Sequence, residues 1–315
     1  FVHYSNEYYG QLEINDHQMC VTTNKAIKCK RHKEKDFREI MPINGDNYNL
    51  ITMGANHICS LESVLKKVKC WGDNKYGQLG TGPLVFSYSE FPVEVVNSQT
   101  ELSDMSAGYN HTCYSDDSNK AYCWGDNSFG QLGITGNKFG TVLVPNITQG
   151  RILSVASKGN YSCVIDLDDK VMCWGEMYYN GIKKIFSPPI SIPGVSPQVY
   201  SLVLGLEESC VHDEDDFYCW GKNIKGVEKR SIGKIHGKIQ IGDGFACISK
   251  SLGVDEVACW GKNDKGQLGV EMSIKESLVP IAPLPWTPPL RLFMPIATPT
   301  PTPIWTPILP IRWPI

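Results

Sequence analysis

Apolar residues in this 315-residue chain come in short runs, and Asn, Asp and Gly interrupt them before a helical period can establish itself. The pattern predicts many short antiparallel strands and an all-β fold. Stretches such as Tyr114-Ser-Asp-Asp-Ser-Asn-Lys-Ala-Tyr122 are apolar at both ends and turn-forming in the middle, which is the pattern of a β-hairpin. Cysteines bracket these hairpins, so facing Cys residues on neighbouring strands come within bonding distance.

The hairpins recur. Each of five units ends in Cys-Trp-Gly, at Cys70, Cys123, Cys173, Cys219 and Cys259, with a spacing of 40 to 53 residues. A period of that size indicates a solenoid or a propeller. Three units continue into Gly-Gln-Leu-Gly, at 70–80, 123–133 and 259–269; the unit at 173–181 lacks Gln-Leu-Gly, and that at 219–226 keeps Lys222-Asn223 and Gly226. Upstream stand Gly54-Ala-Asn-His57-Ile-Cys59 and Gly108-Tyr-Asn-His111-Thr-Cys113. These residues resemble the repeat of the regulator of chromosome condensation superfamily over residues 6–285, and the resemblance implies a β-propeller. The ring of that family usually has seven blades, whereas six cysteine hairpins occur here. The segment Asn6-Glu-Tyr-Tyr-Gly10-Gln11-Leu12 reads as the second half of a unit without its first half. The expectation is thus a propeller of six or seven blades over 1–283, the seventh being partial and completed by another segment. In each unit Trp should wedge against the next blade, with the following Gly allowing close backbone approach. Gly77, Gly130 and Gly266 should take positive φ, with Leu79, Leu132 and Leu268 buried beyond them.

All twelve cysteines fall into six short-range pairs: Cys20-Cys29, Cys59-Cys70, Cys113-Cys123, Cys163-Cys173, Cys210-Cys219 and Cys247-Cys259. An even, fully paired count indicates disulfides in an oxidising compartment. Zinc would require Cys-x-x-Cys knuckles, and the sequence has none. Closing a loop of roughly ten residues stabilises by about 2–3 kcal/mol in the chain-entropy model. Sequons at Asn110, Asn146 and Asn160 agree with a secreted or cell-surface glycoprotein. A sequence that starts at Phe1, without a signal-peptide or membrane-spanning run, reads as a mature, processed form.

The last segment, 284–315, differs from everything before it. Twelve of twenty prolines lie between Pro280 and Pro314, and Arg291 and Arg312 are the only charges after residue 283. Such a backbone is extended or polyproline II. A mucin-like stalk, O-glycosylated on Thr298, Thr300 and Thr302, accounts for the Thr-Pro stretch but not for the apolar ends around Trp286, Trp305, Trp313 and Ile315. An apolar extended segment calls for a surface, on its own propeller or on a neighbour. Docking on a neighbour is a heterologous contact, and such contacts build open filaments where they do not close into a ring. Trp286, Trp305, Trp313 and Ile315 are therefore the candidate subunit contacts, packing into a groove in preference to forming a full ladder.

The near-neutral charge of −3 argues against nucleic acid and membrane surfaces as partners. The basic run Lys28, Lys30, Arg31, His32, Lys33, diluted by Glu34 and Asp36, reads as a solvated loop. No hydrolase elbow, zincin, phosphate-loop or dinucleotide motif occurs, so no catalytic residue, metal or cofactor is expected. His57 and His111 read as side chains bonded to local backbone groups. The acidic clusters Asp166, Asp168, Asp169 and Asp213, Glu214, Asp215, Asp216 read as solvated hairpin turns without a calcium-loop pattern. The nucleotide-exchange activity of the family's nuclear member is not carried over, because disulfides and sequons belong to another compartment. Two functions remain: a non-catalytic structural glycoprotein that assembles head to tail with copies of itself, and a monomeric extracellular binding module that recognises a protein or glycan.

Overall fold

The computed structural model describes residues 9–281, apart from 16–17, 24–25, 32–33, 43–47, 63–66, 83–85, 97–101, 137–140, 148–151, 167, 169, 196–198, 200, 214–215, 232–238, 243–244, 252–254, 267 and 271–272. They belong to one compact unit, Phe1–Pro283. The expected tail contacts Trp286, Trp305, Trp313 and Ile315 and the threonines Thr298, Thr300 and Thr302 lie outside the described residues.

Among the described residues the strands form six four-stranded sheets, each made of consecutive strands. The first holds β1 (Tyr9–Ile14), β2 (Gln18–Thr23), β3 (Ala26–Arg31) and β4 (Arg38–Pro42). The second holds β5 (Tyr48–Met53), β6 (His57–Glu62), β7 (Lys67–Asp73) and β8 (Tyr88–Glu94). The third holds β9 (Leu102–Ala107), β10 (His111–Asp116), β11 (Ala121–Gly125) and β12 (Val142–Leu143). The fourth holds β13 (Ile152–Lys158), β14 (Tyr161–Asp166), β15 (Val171–Tyr179) and β16 (Ile182–Ser191). The fifth holds β17 (Ser201–Leu204), β18 (Glu208–His212), β19 (Asp216–Gly221) and β20 (Glu228–Ser231). The sixth holds β21 (Ile239–Ile241), β22 (Phe245–Ser251), β23 (Asp255–Lys262) and β24 (Glu276–Ile281).

Within each sheet the two central strands are the cysteine hairpin. The register sets Cys113 opposite Cys123 and Tyr114 opposite Tyr122, whose rings stack at 5.0 Å. All six pairs are disulfide-bonded: Cys20-Cys29, Cys59-Cys70, Cys113-Cys123, Cys163-Cys173, Cys210-Cys219 and Cys247-Cys259, with Cα atoms 4.0–4.1 Å apart. A four-stranded sheet has little area to bury by itself, so each sheet depends on its covalent staple and on its neighbours. The glycine after each tryptophan lets the neighbouring strand of its own sheet approach. At Gly125 φ is +108°, and an added Cβ would lie 2.3 Å from the Asn110 carbonyl oxygen.

Among the described residues the core falls into five apolar clusters, each between consecutive sheets. Here the tryptophans depart from expectation. Trp124 of the third sheet packs on Cys59, Leu61, Val68, Cys70 and Leu79 of the second, and Trp174 packs on Cys113, Cys123 and Leu132 of the third. The indole thus meets the preceding sheet and not the next. Alternation along the strand is the reason: the cysteines point to one face, and the residue after each second cysteine points to the other.

Two further expectations are corrected. Tyr9–Ile14 is not the remnant of a half-blade; it is β1, paired antiparallel with β2 as first strand of a full sheet. Its Tyr9-Gly-Gln-Leu matches the repeat end at 76–79 but lacks the closing Gly, and Gln11 works differently, as described below. The basic run is not a solvated loop at its start, because Lys28 and Lys30 lie half-buried in β3.

Candidate functional site

Three sets of polar residues tie the sheets together, and they account for most of the repeat motif. The first set is the Gly-Gln-Leu-Gly turn. In the second sheet Asn74 Oδ1 accepts from Leu79 N at 3.0 Å, while Gly77 N donates to Asn74 O at 3.1 Å. The turn leaves the Gln78 carbonyl free, and Trp124 Nε1 of the third sheet donates to it at 2.9 Å. Trp174 Nε1 donates to Gln131 O at the same distance. The glycines have the expected positive φ, at 78° for Gly77, 73° for Gly130 and 76° for Gly266, and Leu79, Leu132 and Leu268 are buried. Where the fourth unit has lost Gln-Leu-Gly, the next tryptophan has no such acceptor. Trp220 is buried with its indole N–H unpartnered among the described residues.

The second set is a line of buried side chains, each bonded to a hydroxyl one sheet further on. His57 Nε2 lies 2.8 Å from Thr112 Oγ1, His111 Nε2 lies 2.8 Å from Ser162 Oγ, and the Tyr161 hydroxyl lies 2.5 Å from Ser209 Oγ. Tyr161 also donates to Gly205 O at 2.6 Å. The histidines are therefore tied to the next sheet and not to local backbone, the reading made from sequence. Each ring is wedged against a glycine, Gly54 or Gly108, where a Cβ would lie 2.2 Å from the imidazole. Burial lowers the His57 pKa to about 4. It lowers that of His111 to about 3, with His57 itself contributing. Both imidazoles are neutral at physiological pH, and burial likewise raises the pKa of the Tyr161 phenol.

The third set lines the channel. The innermost strands β1, β5, β9, β13, β17 and β21 surround a cavity of about 350 Å³. An innermost strand is a sheet edge with unpaired backbone groups, which natural sheets cover. Here the side chains of one sheet cover the next. The Gln11 amide accepts from Ile51 N at 3.0 Å and donates to Ile51 O at 2.7 Å, imitating a strand partner. Thr52 Oγ1 accepts from Ala107 N, Asp104 Oδ2 accepts from Val155 N, and Ser106 Oγ accepts from Ser157 N, all at 2.9 Å. Burial raises the Asp104 pKa against the lowering effect of these hydrogen bonds. Burial also raises that of Glu13, opposed by the Gln11 amide and by Lys158 across the channel. Sequence reading did not find this role for Gln11, Thr52, Asp104 or Ser106, since they share neither a residue type nor a single repeat position.

The acidic clusters close hairpins. Asp166 Oδ1 accepts from Lys170 N at 2.8 Å, and Asp213 Oδ1 accepts from Asp216 N at 2.7 Å, while Asp216 pairs with Lys229 at 2.6 Å. Asp169, Glu214 and Asp215 are outside the described residues. Among the described residues, Glu208, Cys210 and Cys219 lie close enough to resemble a metal set, yet both sulfurs are committed to one disulfide. Of the expected glycan sites, Asn146 is exposed in a turn, while Asn110 and Asn160 are half-buried beside the buried hydroxyls of Thr112 and Ser162. No helix among the described residues is long and apolar enough to cross a membrane.

Among the described residues, six consecutive stapled sheets line one channel, with polar ties between successive sheets, and this arrangement defines a β-propeller. Family models for the regulator of chromosome condensation (RCC1) repeat match residues 67–114 and 103–131. The ultraviolet-B receptor UVR8 of Arabidopsis thaliana is 33% identical over 93 residues, 30% of this chain and 21% of UVR8. The alignment thus spans about a fifth of that relative. Among solved structures, human WBSCR16 superposes with a TM-score of 0.71 at 16% identity, over 89% of this chain and 83% of that one. Prp20p from Saccharomyces cerevisiae gives 0.68 at 14% identity, over 86% and 76%. Residues 67–131 thus match the RCC1 repeat, and the fold is that of the solved RCC1-type β-propellers, here in a disulfide-stapled form that suits an oxidising environment.

Proposed function

We propose that the protein is an extracellular, non-catalytic scaffold that assembles head to tail, the Pro-rich segment of one copy docking on the propeller of the next. One observation carries the reading. Residues 284–315 combine the stiffness of ten prolines with three tryptophans and only two charges, a composition made for a surface and not for solvent. The propeller offers a rigid partner. Its disulfides staple every described sheet, and its buried histidines and carboxylates are spent on ties between sheets, which supports a structural role. N-linked glycans, with Asn146 best placed, and O-linked glycans on the Thr-Pro stretch would coat such an assembly.

The test compares the full chain with a truncation ending at Pro283, by negative-stain microscopy and light scattering under oxidising conditions. Filaments or large oligomers from the full chain, with monomers from the truncation, are expected. Two monomers overturn the reading.

A second reading, a monomeric binding module for a protein, is favoured by exposed apolar residues on outer strands. Phe91 is 73% exposed on β8, and Ile182 and Ile185 stand out on the long β15–β16 hairpin. Monomers whose binding to a partner is lost on Phe91→Ala or Ile185→Ser would support it.

A further inference from the structure

On the innermost strands the residues opposite the first cysteine of each pair are Glu13, Thr52, Ser106, Ala156, Val203 and Gln240. In β5 and β9 this residue caps the next strand. Thr52 Oγ1 accepts from Ala107 N and Ser106 Oγ accepts from Ser157 N, both at 2.9 Å. Ala107 stands opposite Thr112 and Ser157 opposite Ser162; in β17 the matching residue is Leu204, opposite Ser209. By that register the Leu204 amide points away from β18 and toward β13. The residue placed to cap it is Ala156, whose methyl group offers no acceptor. The same holds one strand further on. Ile241 stands opposite Ala246, and the residue placed to cap its amide is Val203.

The missing caps face the channel. Ala156, Lys158, Val203, Leu204 and Ile241 line its cavity of about 350 Å³, and Glu13 lines the same cavity from β1. Small-molecule sites occupy about 300–1,000 Å³, so the volume suits a small ligand. Residues two apart on a strand point the same way, and Lys158 therefore follows Ala156 toward β17. Lys158 is half-buried, and its ammonium is in no ion pair among the described residues. Glu13 feels its charge without touching it. Glu13 Oε1 accepts from Gln11 Nε2 at 2.9 Å, which leaves its other oxygen to the channel. An unpaired cation, an open carboxylate oxygen and uncapped strand amides are groups that a folded protein ordinarily satisfies, and here they meet in one cavity.

We propose that the channel is a binding site for a small zwitterion of the free amino acid type. Its carboxylate is held by Lys158 Nζ and the Leu204 N–H, and its ammonium group is directed to Glu13. Charge complementarity decides the class: one wall of the cavity offers donors and a positive charge, and the other offers a carboxylate. A plain anion would leave Glu13 without a partner, and a plain amine would leave Lys158 and the strand amides without one. The site uses no residue of the C-terminal segment, so it stands whether or not the chain polymerises.

The test titrates the full, oxidised chain with the free amino acids of uncharged side chain, one at a time, by isothermal calorimetry. Saturable binding of at least one is expected, with a Kd of about 1 mM or tighter. The same molecule without its amino group, or without its carboxylate, should bind about tenfold more weakly or worse. Lys158→Gln and Glu13→Gln should each weaken binding by about tenfold or more, the loss of one charge-assisted bond. Ala156→Ser restores a cap of the kind Ser106 makes and should weaken binding by competing for the Leu204 N–H, whereas Ala156→Gly, which brings no acceptor, leaves it intact. Lys158→Met, which keeps the apolar stem, is the second variant should Lys158→Gln fail to fold by circular dichroism. No saturable binding up to about 10 mM, or binding indifferent to the Lys158 and Ala156→Ser variants, overturns the proposal. Equal binding of the deaminated acids, with Glu13→Gln without effect, overturns the zwitterion in favour of a plain anion.

Discussion

Trp124→Phe and Trp220→Phe form a matched pair that isolates one inter-sheet hydrogen bond. Both indoles are fully buried between consecutive sheets, but Trp124 Nε1 donates to Gln78 O at 2.9 Å while Trp220 Nε1 is unpartnered among the described residues. Replacing either indole by a phenyl ring removes apolar contact and leaves a small cavity, at a cost of about 1–2 kcal/mol in each case. In Trp124→Phe the Gln78 carbonyl is also stranded in a dry interface, which adds about 1–2 kcal/mol. In Trp220→Phe the buried unpaired N–H is removed, which offsets part of the cavity cost. Trp124→Phe should therefore be the more destabilising by about 2 kcal/mol. That difference is about 4–8 °C in Tm for a domain somewhat smaller than this one, and nearer the low end here. The assay is thermal and guanidinium unfolding of the folded, oxidised proteins, compared at equal m-value. Trp174→Phe serves as a replicate, because its indole donates to Gln131 O at the same distance. Equal losses at residues 124 and 220 would refute the view that the Gly-Gln-Leu-Gly turn contributes through its carbonyl.

Three other outcomes follow from the same geometry. Removing one staple by Cys113→Ala with Cys123→Ala opens a loop of ten-residue separation and should cost about 2–3 kcal/mol, read as a fall in guanidinium midpoint. His57 and His111 are held neutral, with pKa values lowered from 6.5 to about 4 and about 3, so the unfolded chain binds more protons between those values. Stability should thus be fully present above pH 6.5 and fall as the pH drops toward 4. The slope is up to about 1.4 kcal/mol per pH unit for each histidine, and His57→Gln with His111→Gln should flatten it. In a chain expressed through a secretory pathway, Asn146→Gln should remove the mass of one glycan by mass spectrometry, since Asn146 is the exposed sequon asparagine.

Contacts within a hairpin were legible in the sequence, and contacts between hairpins were not. The cysteine pairs, the strands that bracket them and the positive φ of Gly77, Gly130 and Gly266 all depend on residues within about a dozen positions of each other. Local chain geometry decides such features, and the repeat displays them several times over. The RCC1-type repeat itself was legible for that reason. The partner of Trp124 is 46 positions away and that of His57 is 55, and a repeat looks identical whether it leans forward or back. Sequence reading accordingly sent the tryptophans to the wrong neighbour and the histidines to local backbone.

The channel wall was hidden for a related reason. Gln11, Thr52, Asp104 and Ser106 perform one task, capping the exposed edge of the next innermost strand, with four different side chains. Any polar group of suitable reach satisfies a backbone N–H, so no motif is needed and none is written. The short Gly10-Gln11-Leu12 match misled for the same cause: Gln11 bonds Ile51 instead of forming a repeat turn. By itself, then, the sequence determined the class of fold, the unit of repetition and its covalent staples, because these are properties of short segments. Only the tertiary structure decided which sheet receives each tryptophan and which side chains cap each innermost strand, because both are properties of how one segment meets another.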